Sequence, residues 1–303
     1  MIALTLITIA LSPWQTYAPM QTVPYCTVDG KTLTLNAFVP TGVTRPTPAM
    51  VDIHGGWFVG GGPATSVPDF LSRREVAFFS ISYRLGAEGG FPQCIRDCRN
   101  AIRFIRMNSK KLNIDPNRIA VMGGSAGGHL SLMVAMTPER FDDGGPIEDL
   151  KGVSPRVCGA FSWIPPTDFM RFWNQGPTDE TLGASGQRVY RGWNDAIPND
   201  ARPHLRALFH GVAPDTTAGK SLYLRMCPIG QVRRGLPPLL ICDGERDPIV
   251  PGLEGKELHD RLQAIGVDST YWMTPGGGHE FPSGPGFEAV LERFLDKIFY
   301  GSL

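Results

Sequence analysis

Four short stretches carry residue types that acyl-transfer chemistry uses. Residues 121–129 read VMGGSAGGH, in which Gly123 to Gly127 spell G-x-S-x-G. A serine on a tight strand-to-helix turn lifts its hydroxyl clear of a sheet, and the flanking positions leave no room for larger side chains. An apolar run precedes Ser125, and Leu130 to Ala135 continues as a helix. A helix N-terminus there adds positive partial charge near an attacking oxygen. Upstream, residues 53–58 read IHGGWF. Consecutive glycines let backbone N–H groups converge on one point, as a tetrahedral oxyanion requires, and Ala126 would supply a further N–H. His54 is expected to fix this loop rather than act as a base.

Downstream, residues 240–251 read LICDGERDPIVP, an apolar strand ending in a loop with Asp243, Glu245 and Asp247. One of these could orient a histidine and stabilise its imidazolium. Asp247, deepest in the loop, is the expected acid; Asp243 and Glu245 are read as turn residues. Residues 275–281 read PGGGHEF. Of the six histidines, His279 alone lies beyond the acid on a loop at a strand end, which gives the order Ser, Asp, His. The helix after Ser125 should carry His129 away from the hydroxyl. His204 and His210 are spaced i,i+6, a poor metal pair. No metal site and no cofactor are expected. In the expected cycle, His279 takes the Ser125 proton, Ser125 attacks an ester carbonyl, and water clears the acyl-enzyme.

Such loops need strands that alternate with helices, and the chain reads that way. Strands are expected over 31–39, 49–53, 76–83, 118–122, 157–164, 239–242 and 269–273. Helices are expected over 94–107, after Ser125, over 252–265 and over 286–299. In the first helix Ile95, Cys98, Ala101, Ile102 and Ile105 share a face. Arg96, Arg99, Arg103 and Arg106 fall elsewhere and are read as a solvated side rather than a polyanion-binding stripe. The class is therefore α/β, a mostly parallel sheet covered on both faces. Residues 165–220 differ: Pro, Gly, Asn and Asp are scattered among Phe169, Phe172, Trp173, Tyr190, Trp193 and Phe209. So long a stretch is not expected to be a bare loop. It is read as an inserted cap over the C-terminal ends of the strands, within a single domain spanning residues 19–303.

The 303 residues carry 29 Lys plus Arg against 29 Asp plus Glu, with 42% hydrophobic and 19% charged. That composition excludes wholesale disorder and gives no overall pull on nucleic acid or anionic lipid. With 36 Gly and 27 Pro the chain is loop-rich. Residues 1–12 are largely apolar but fall short of the roughly 20 residues a membrane-spanning helix needs, so no stable membrane insertion is expected. Their length suits a secretory signal ending near Ala18, although no Lys or Arg precedes them and Pro19 would hinder cleavage. Export to a periplasm or the exterior is the expectation, with the cytoplasm as the alternative. None of the six cysteines forms a C-x-x-C pair, so they suggest neither a zinc ribbon nor a thioredoxin-like site.

With its motifs assembled, the sequence is similar to α/β-hydrolases. It resembles the carboxylesterases of the hormone-sensitive-lipase-like superfamily, and most closely the branch containing bifunctional feruloyl and acetyl-xylan esterases. Besides the four motifs, the resemblance is carried by Ser82 to Leu85 (SYRL), Phe91-Pro92 with Asp97, Asp115 to Ile119 (DPNRI) and Pro166 to Asp168 (PTD). It implies Ser125 as nucleophile, Asp247 as acid and His279 as base, with oxyanion donors among Gly55, Gly56, Trp57 and Ala126. The family's commoner loop is His-Gly-Gly-Gly; here Trp57 takes the fourth place, keeps its N–H and puts an indole beside the acyl pocket. The implied activity is hydrolysis of short-chain or carbohydrate-linked esters, with acetyl or feruloyl groups. An amidase, such as a formamidase, or a peptidase could use the same triad. A binding protein on an inactive hydrolase scaffold would be expected to lack a triad member, and no long apolar lid of an interfacial lipase is legible.

Overall fold

The computed structural model describes residues 16–138, 140, 147–175, 180–182, 188–190, 202–250 and 252–301. Met1 to Gln15, where the secretory signal is expected, lie outside them. The chain opens with β1 (Gln21–Val28) and β2 (Lys31–Phe38), then β3 (Thr47–Ile53), α1 (Asp69–Ser72), β4 (Ala77–Ile81), α2 (Gln93–Met107), β5 (Ile114–Gly124) and α3 (Ala126–Met136). It continues through β6 (Ala160–Trp163), α4 (Phe169–Gln175), β7 (Glu180–Leu182), β8 (Arg188–Tyr190), α5 (Arg202–Leu208) and α6 (Thr217–Met226). It closes with β9 (Leu239–Gly244), α7 (Leu253–Ala264), β10 (Ser269–Thr274) and α8 (Phe287–Tyr300).

Eight strands form one sheet in the order β1-β2-β4-β3-β5-β6-β9-β10. The first two pairings are antiparallel and the rest parallel. The β1–β2 hairpin turns at Asp29-Gly30, both at positive φ, as a tight hairpin turn demands. The central strands are buried on both faces: every residue of β3, β4 and β9 is buried, which suits runs such as AFFSI and LLICDG. Helices α2, α3 and α7 cover one face and contribute Ile95, Ile102, Leu130, Met133, Leu258 and Leu262 to a common core. Helices α1 and α8 cover the other, where Leu71, Phe287, Leu291, Phe294 and Leu295 pack against Met50, Phe78, Met122 and Phe161. Each such side chain stabilises the fold by about 1.5–3 kcal/mol through burial. Among the described residues, no helix is long and apolar enough to cross a membrane.

Two expectations are corrected here. The arginines of α2 do not form a solvated side, for Arg99 is fully buried and Arg103 nearly so. The guanidinium of Arg99 donates to the carbonyls of Thr137 and Arg140 and to Thr137 Oγ1. That of Arg103 donates to the carbonyl of Val153 (3.1 Å) and to Asn100 Oδ1 (3.2 Å). The loops after α3 cover this side of α2, and the arginines satisfy carbonyls that helix and loop ends leave open. Asp243 is likewise not a turn residue: it lies within β9, one residue from its end, is buried, and accepts a 3.0 Å hydrogen bond from the Tyr271 hydroxyl.

Candidate active site

The parallel strands deliver their C-terminal ends to one edge of the sheet. In-register pairing of Ile53 with Gly123, and of Gly124 with Trp163, sets the loop after β3 beside the turn after β5. Ser125 occupies that turn at φ 57° and ψ −124°, a conformation that costs a non-glycine residue about 1–3 kcal/mol. It persists because its surroundings are over-determined. The Ser125 N–H donates to the Trp163 carbonyl at 3.0 Å, its carbonyl accepts from the His129 N–H at 2.9 Å, and α3 begins directly after it. A side chain at Gly127 would collide with the Ile53 carbonyl. This packing pins the first turn of α3 against the end of β3.

His279 stands after β10, three strands from β5 in the sheet, and reaches back across the intervening β6 and β9. Its Nε2 lies 3.0 Å from Ser125 Oγ and its Nδ1 2.7 Å from Asp247 Oδ2. Asp247 is fully buried, and its Oδ1 accepts the N–H groups of Ile249 (2.8 Å) and Val250 (3.0 Å). These bonds fix which oxygen faces the imidazole. The loops carrying the acid and the histidine are laced together: Glu245 N donates to the Thr274 carbonyl, Arg246 N to that of Gly277, and Gly276 N to Glu245 Oε2 at 2.7 Å. Glu245, read from sequence as a turn residue, is thus a tether between the two loops. An imidazole held this way presents Nε2 to the hydroxyl as a proton acceptor, because Nδ1–H is committed to the carboxylate.

The loop after β3 folds back over this edge. Gly56, Trp57 and Phe58 all have positive φ, and a Cβ on Gly56 would strike the Gly60 carbonyl. Gly55 lies against Gly124 and Ser125, where a side chain would crowd the Gly124 carbonyl oxygen at 2.9 Å. Gly55, Gly56 and Trp57 line the same cavity as Ser125. Ala126, the first residue of α3, has no carbonyl four residues back within the helix for its own N–H. Main-chain N–H groups aimed at such a point can stabilise an alkoxide oxygen. His54 fixes the loop, with its Nδ1 2.7 Å from the Gly55 carbonyl oxygen and its ring stacked on Tyr83. Burial lowers its pKa. His129 is fully buried with Nδ1 2.8 Å from the Pro166 carbonyl, and burial pushes its pKa down to about 4.

A cavity of about 430 Å³ opens over Ser125 and His279. Its walls include Gly55, Gly56, Trp57, Trp163, Ile164, Ile249 and Phe281, with Asp52 and Glu280 as acidic members. Of these, sequence reasoning missed Asp52, Trp163, Ile164, Ile249, Glu280 and Phe281. The place of Asp52 immediately before the Ile53-His54-Gly55-Gly56 stretch was the available signal. Parts of the 165–220 stretch border the same loop: the Trp57 indole meets Phe172 edge-on (6.0 Å, 87°) and stacks on His204 (5.8 Å), while Phe58 meets Phe169 edge-on. Tyr190 and Trp193 lie outside the residues whose side chains are described. No His, Cys, Asp or Glu cluster able to hold a metal ion exists among the described residues.

A family model described as BD-FAE matches residues 35–262 of this chain. Among curated proteins, the sequence is 29% identical over 268 residues to Esterase LipC of Mycobacterium tuberculosis, covering 84% of this chain and 59% of that one. It is 31% identical over 299 residues to AB hydrolase superfamily protein C1039.03 of Schizosaccharomyces pombe, covering 92% and 78%. The chain thus spans little more than half the length of LipC. In structure it is similar to an acetyl ester-xyloside bifunctional hydrolase from Caldicellulosiruptor lactoaceticus, with a TM-score of 0.71 at 21% identity over 92% of this chain and 96% of that one. That likeness concerns the fold: an eight-stranded, mostly parallel sheet flanked by helices.

Proposed function

Since this chain belongs to the BD-FAE family of α/β-hydrolases, we propose that it is a serine carboxylesterase acting on short-chain or carbohydrate-linked esters of acetyl or feruloyl type. The observation that carries this reading is the unbroken relay from Ser125 Oγ through His279 to buried Asp247. His279 Nε2 takes the serine proton as Oγ bonds to the ester carbonyl carbon. The carbonyl oxygen becomes an oxyanion held by N–H groups among Gly55, Gly56, Trp57 and Ala126. Collapse of this intermediate expels the alcohol, which receives the proton from His279, and leaves an acyl-serine. Water, deprotonated by the same imidazole, then releases the acid and restores the serine. Asp247 holds the tautomer and stabilises the imidazolium throughout.

The substrate class is supported by the cavity, whose volume suits a short acyl group, and by its aromatic walls, which supply contact area for a ring. It is also supported by esterase relatives such as LipC. The 165–220 stretch is proposed as the cap over this site, on the strength of its contacts with Trp57 and Phe58. The test is hydrolysis of p-nitrophenyl acetate, methyl ferulate and acetylated xylan by the purified protein beside Ser125→Ala. Release of acetate or ferulate by the wild type, abolished in the variant, is the expected result. Turnover of amides with no turnover of any ester would overturn the reading.

A further inference from the structure

We propose that Asp52 is a specificity-determining residue of the same cavity, accepting a hydrogen bond from a hydroxyl or ammonium group carried by the ester substrate. The inference rests on the esterase reading above and deepens it. Asp52 lies in β3, between Ser80 of β4 and Met122 of β5. The face it shares carries Met50, Phe78, Met122 and Phe161, with Ser80 and Asn36 as its buried polar neighbours. It retains 9% exposure and is among the residues that line the cavity over Ser125.

The hydrogen bonds of Asp52 are unequal. The Ser80 hydroxyl donates to Oδ2 at 2.6 Å, and the same Ser80 oxygen accepts the Ala64 N–H at 2.7 Å. Oδ1 has no hydrogen-bond partner among the described residues, and no cation pairs with the carboxyl there. Anchoring Ser80 takes one neutral acceptor. A carboxylate with a spare oxygen goes beyond that need and is costly in such surroundings, so burial raises its pKa to about 6. Asp52 lines the catalytic cavity, where Trp163 and Phe281 meet edge-on at 5.2 Å (70°). Aromatic walls beside a lone acceptor fit a substrate arm with an apolar body and a hydrogen-bond donor. A substrate lacking the donor would leave that acceptor unpaired, which makes it a device for discrimination.

The experiment compares kcat/KM for matched esters. For the acyl arm these are p-nitrophenyl butyrate, 3-hydroxybutyrate and 3-aminobutyrate; for the alcohol arm, propyl and 2,3-dihydroxypropyl butyrate. The wild type is expected to favour a donor-bearing member of at least one set by about 10-fold or more, the range of a hydrogen bond to a charged group. The preferred member tells hydroxyl from ammonium and acyl arm from alcohol arm. Asp52→Ala should bring the preference close to one. Asp52→Asn, kept for the case where the alanine variant does not fold, should do the same: its carbonyl must face the Ser80 hydroxyl, which puts an N–H donor in place of the spare acceptor. Ser80→Ala should retain the preference. Hydrolysis of plain esters with no preference in either set, or a preference that survives both Asp52 variants, overturns the proposal and leaves the esterase reading standing. Failure to hydrolyse any ester overturns that reading and this inference with it.

Discussion

Replacing Asp247 by asparagine should trap His279 in the wrong tautomer. Oδ1 of Asp247 accepts two backbone N–H groups, from Ile249 and Val250, while Oδ2 faces His279 Nδ1 at 2.7 Å. An asparagine must keep its carbonyl on the two N–H groups. The opposite orientation would leave two buried donors unpaired at about 1–3 kcal/mol each. Its amide therefore points N–H at Nδ1, which must then be the unprotonated nitrogen, and Nε2 carries the hydrogen toward Ser125 Oγ. The imidazole can no longer accept the serine proton. The tautomer error in a triad of this type lowers kcat by about 10⁴-fold, or about 5 kcal/mol of barrier at about 1.4 kcal/mol per ten-fold. Fold stability should change little, because the buried hydrogen bonds persist. The assay is kcat for p-nitrophenyl acetate at neutral pH, read with thermal melting of both proteins. A variant that melts like the wild type yet keeps more than a tenth of its kcat would refute the reasoning.

Two further outcomes are expected. Glu254 is fully buried beside buried Asp243, its Oε2 accepts the N–H groups of Thr167 (2.6 Å) and Asp168 (3.0 Å), and burial pushes its pKa up to about 8. In the unfolded chain it ionises near the ordinary 4.5 of a glutamate, so the folded state holds the extra proton between these values and stability falls as pH rises through that window. Glu254→Gln should flatten the decline by up to about 1.4 kcal/mol per pH unit, measured as unfolding midpoints from pH 5 to pH 8; an unchanged slope refutes the assignment. Trp57→Gly keeps the loop N–H, suits the positive φ of 55° and removes one wall of the cavity. The ratio of kcat/KM for p-nitrophenyl octanoate to that for acetate should rise about 10-fold, and a constant ratio would show that the indole does not limit the acyl group.

What the sequence determined by itself was mostly local. The glycines around Ser125 are legible because a tight strand-to-helix turn tolerates few residues, and α2, α7 and α8 are legible because one-sided burial imposes a period. β1 escaped notice because QTVPYCTV breaks its alternation at Pro24, where the pairing with β2 shifts register; Asp29-Gly30 was the clue to the hairpin. Where charge is buried was decided by tertiary structure. Arg99 and Arg103 fall outside the apolar stripe of α2, and only the loops packed over that side enclose them. Asp243, Glu245 and Asp247 stand two residues apart and differ little as a string. The end of β9 buries the first under Tyr271, the tether to the histidine loop takes the second, and the turn that follows puts the third beneath His279. Asp52 sits in a run that reads as plain core; its place in the cavity wall depends on where β3 ends relative to β5 and on the loop folded over both. Spacing along a chain records which conformations a residue can adopt, whereas a carboxylate's partner and exposure depend on strands far apart in sequence, and those are set only when the sheet assembles.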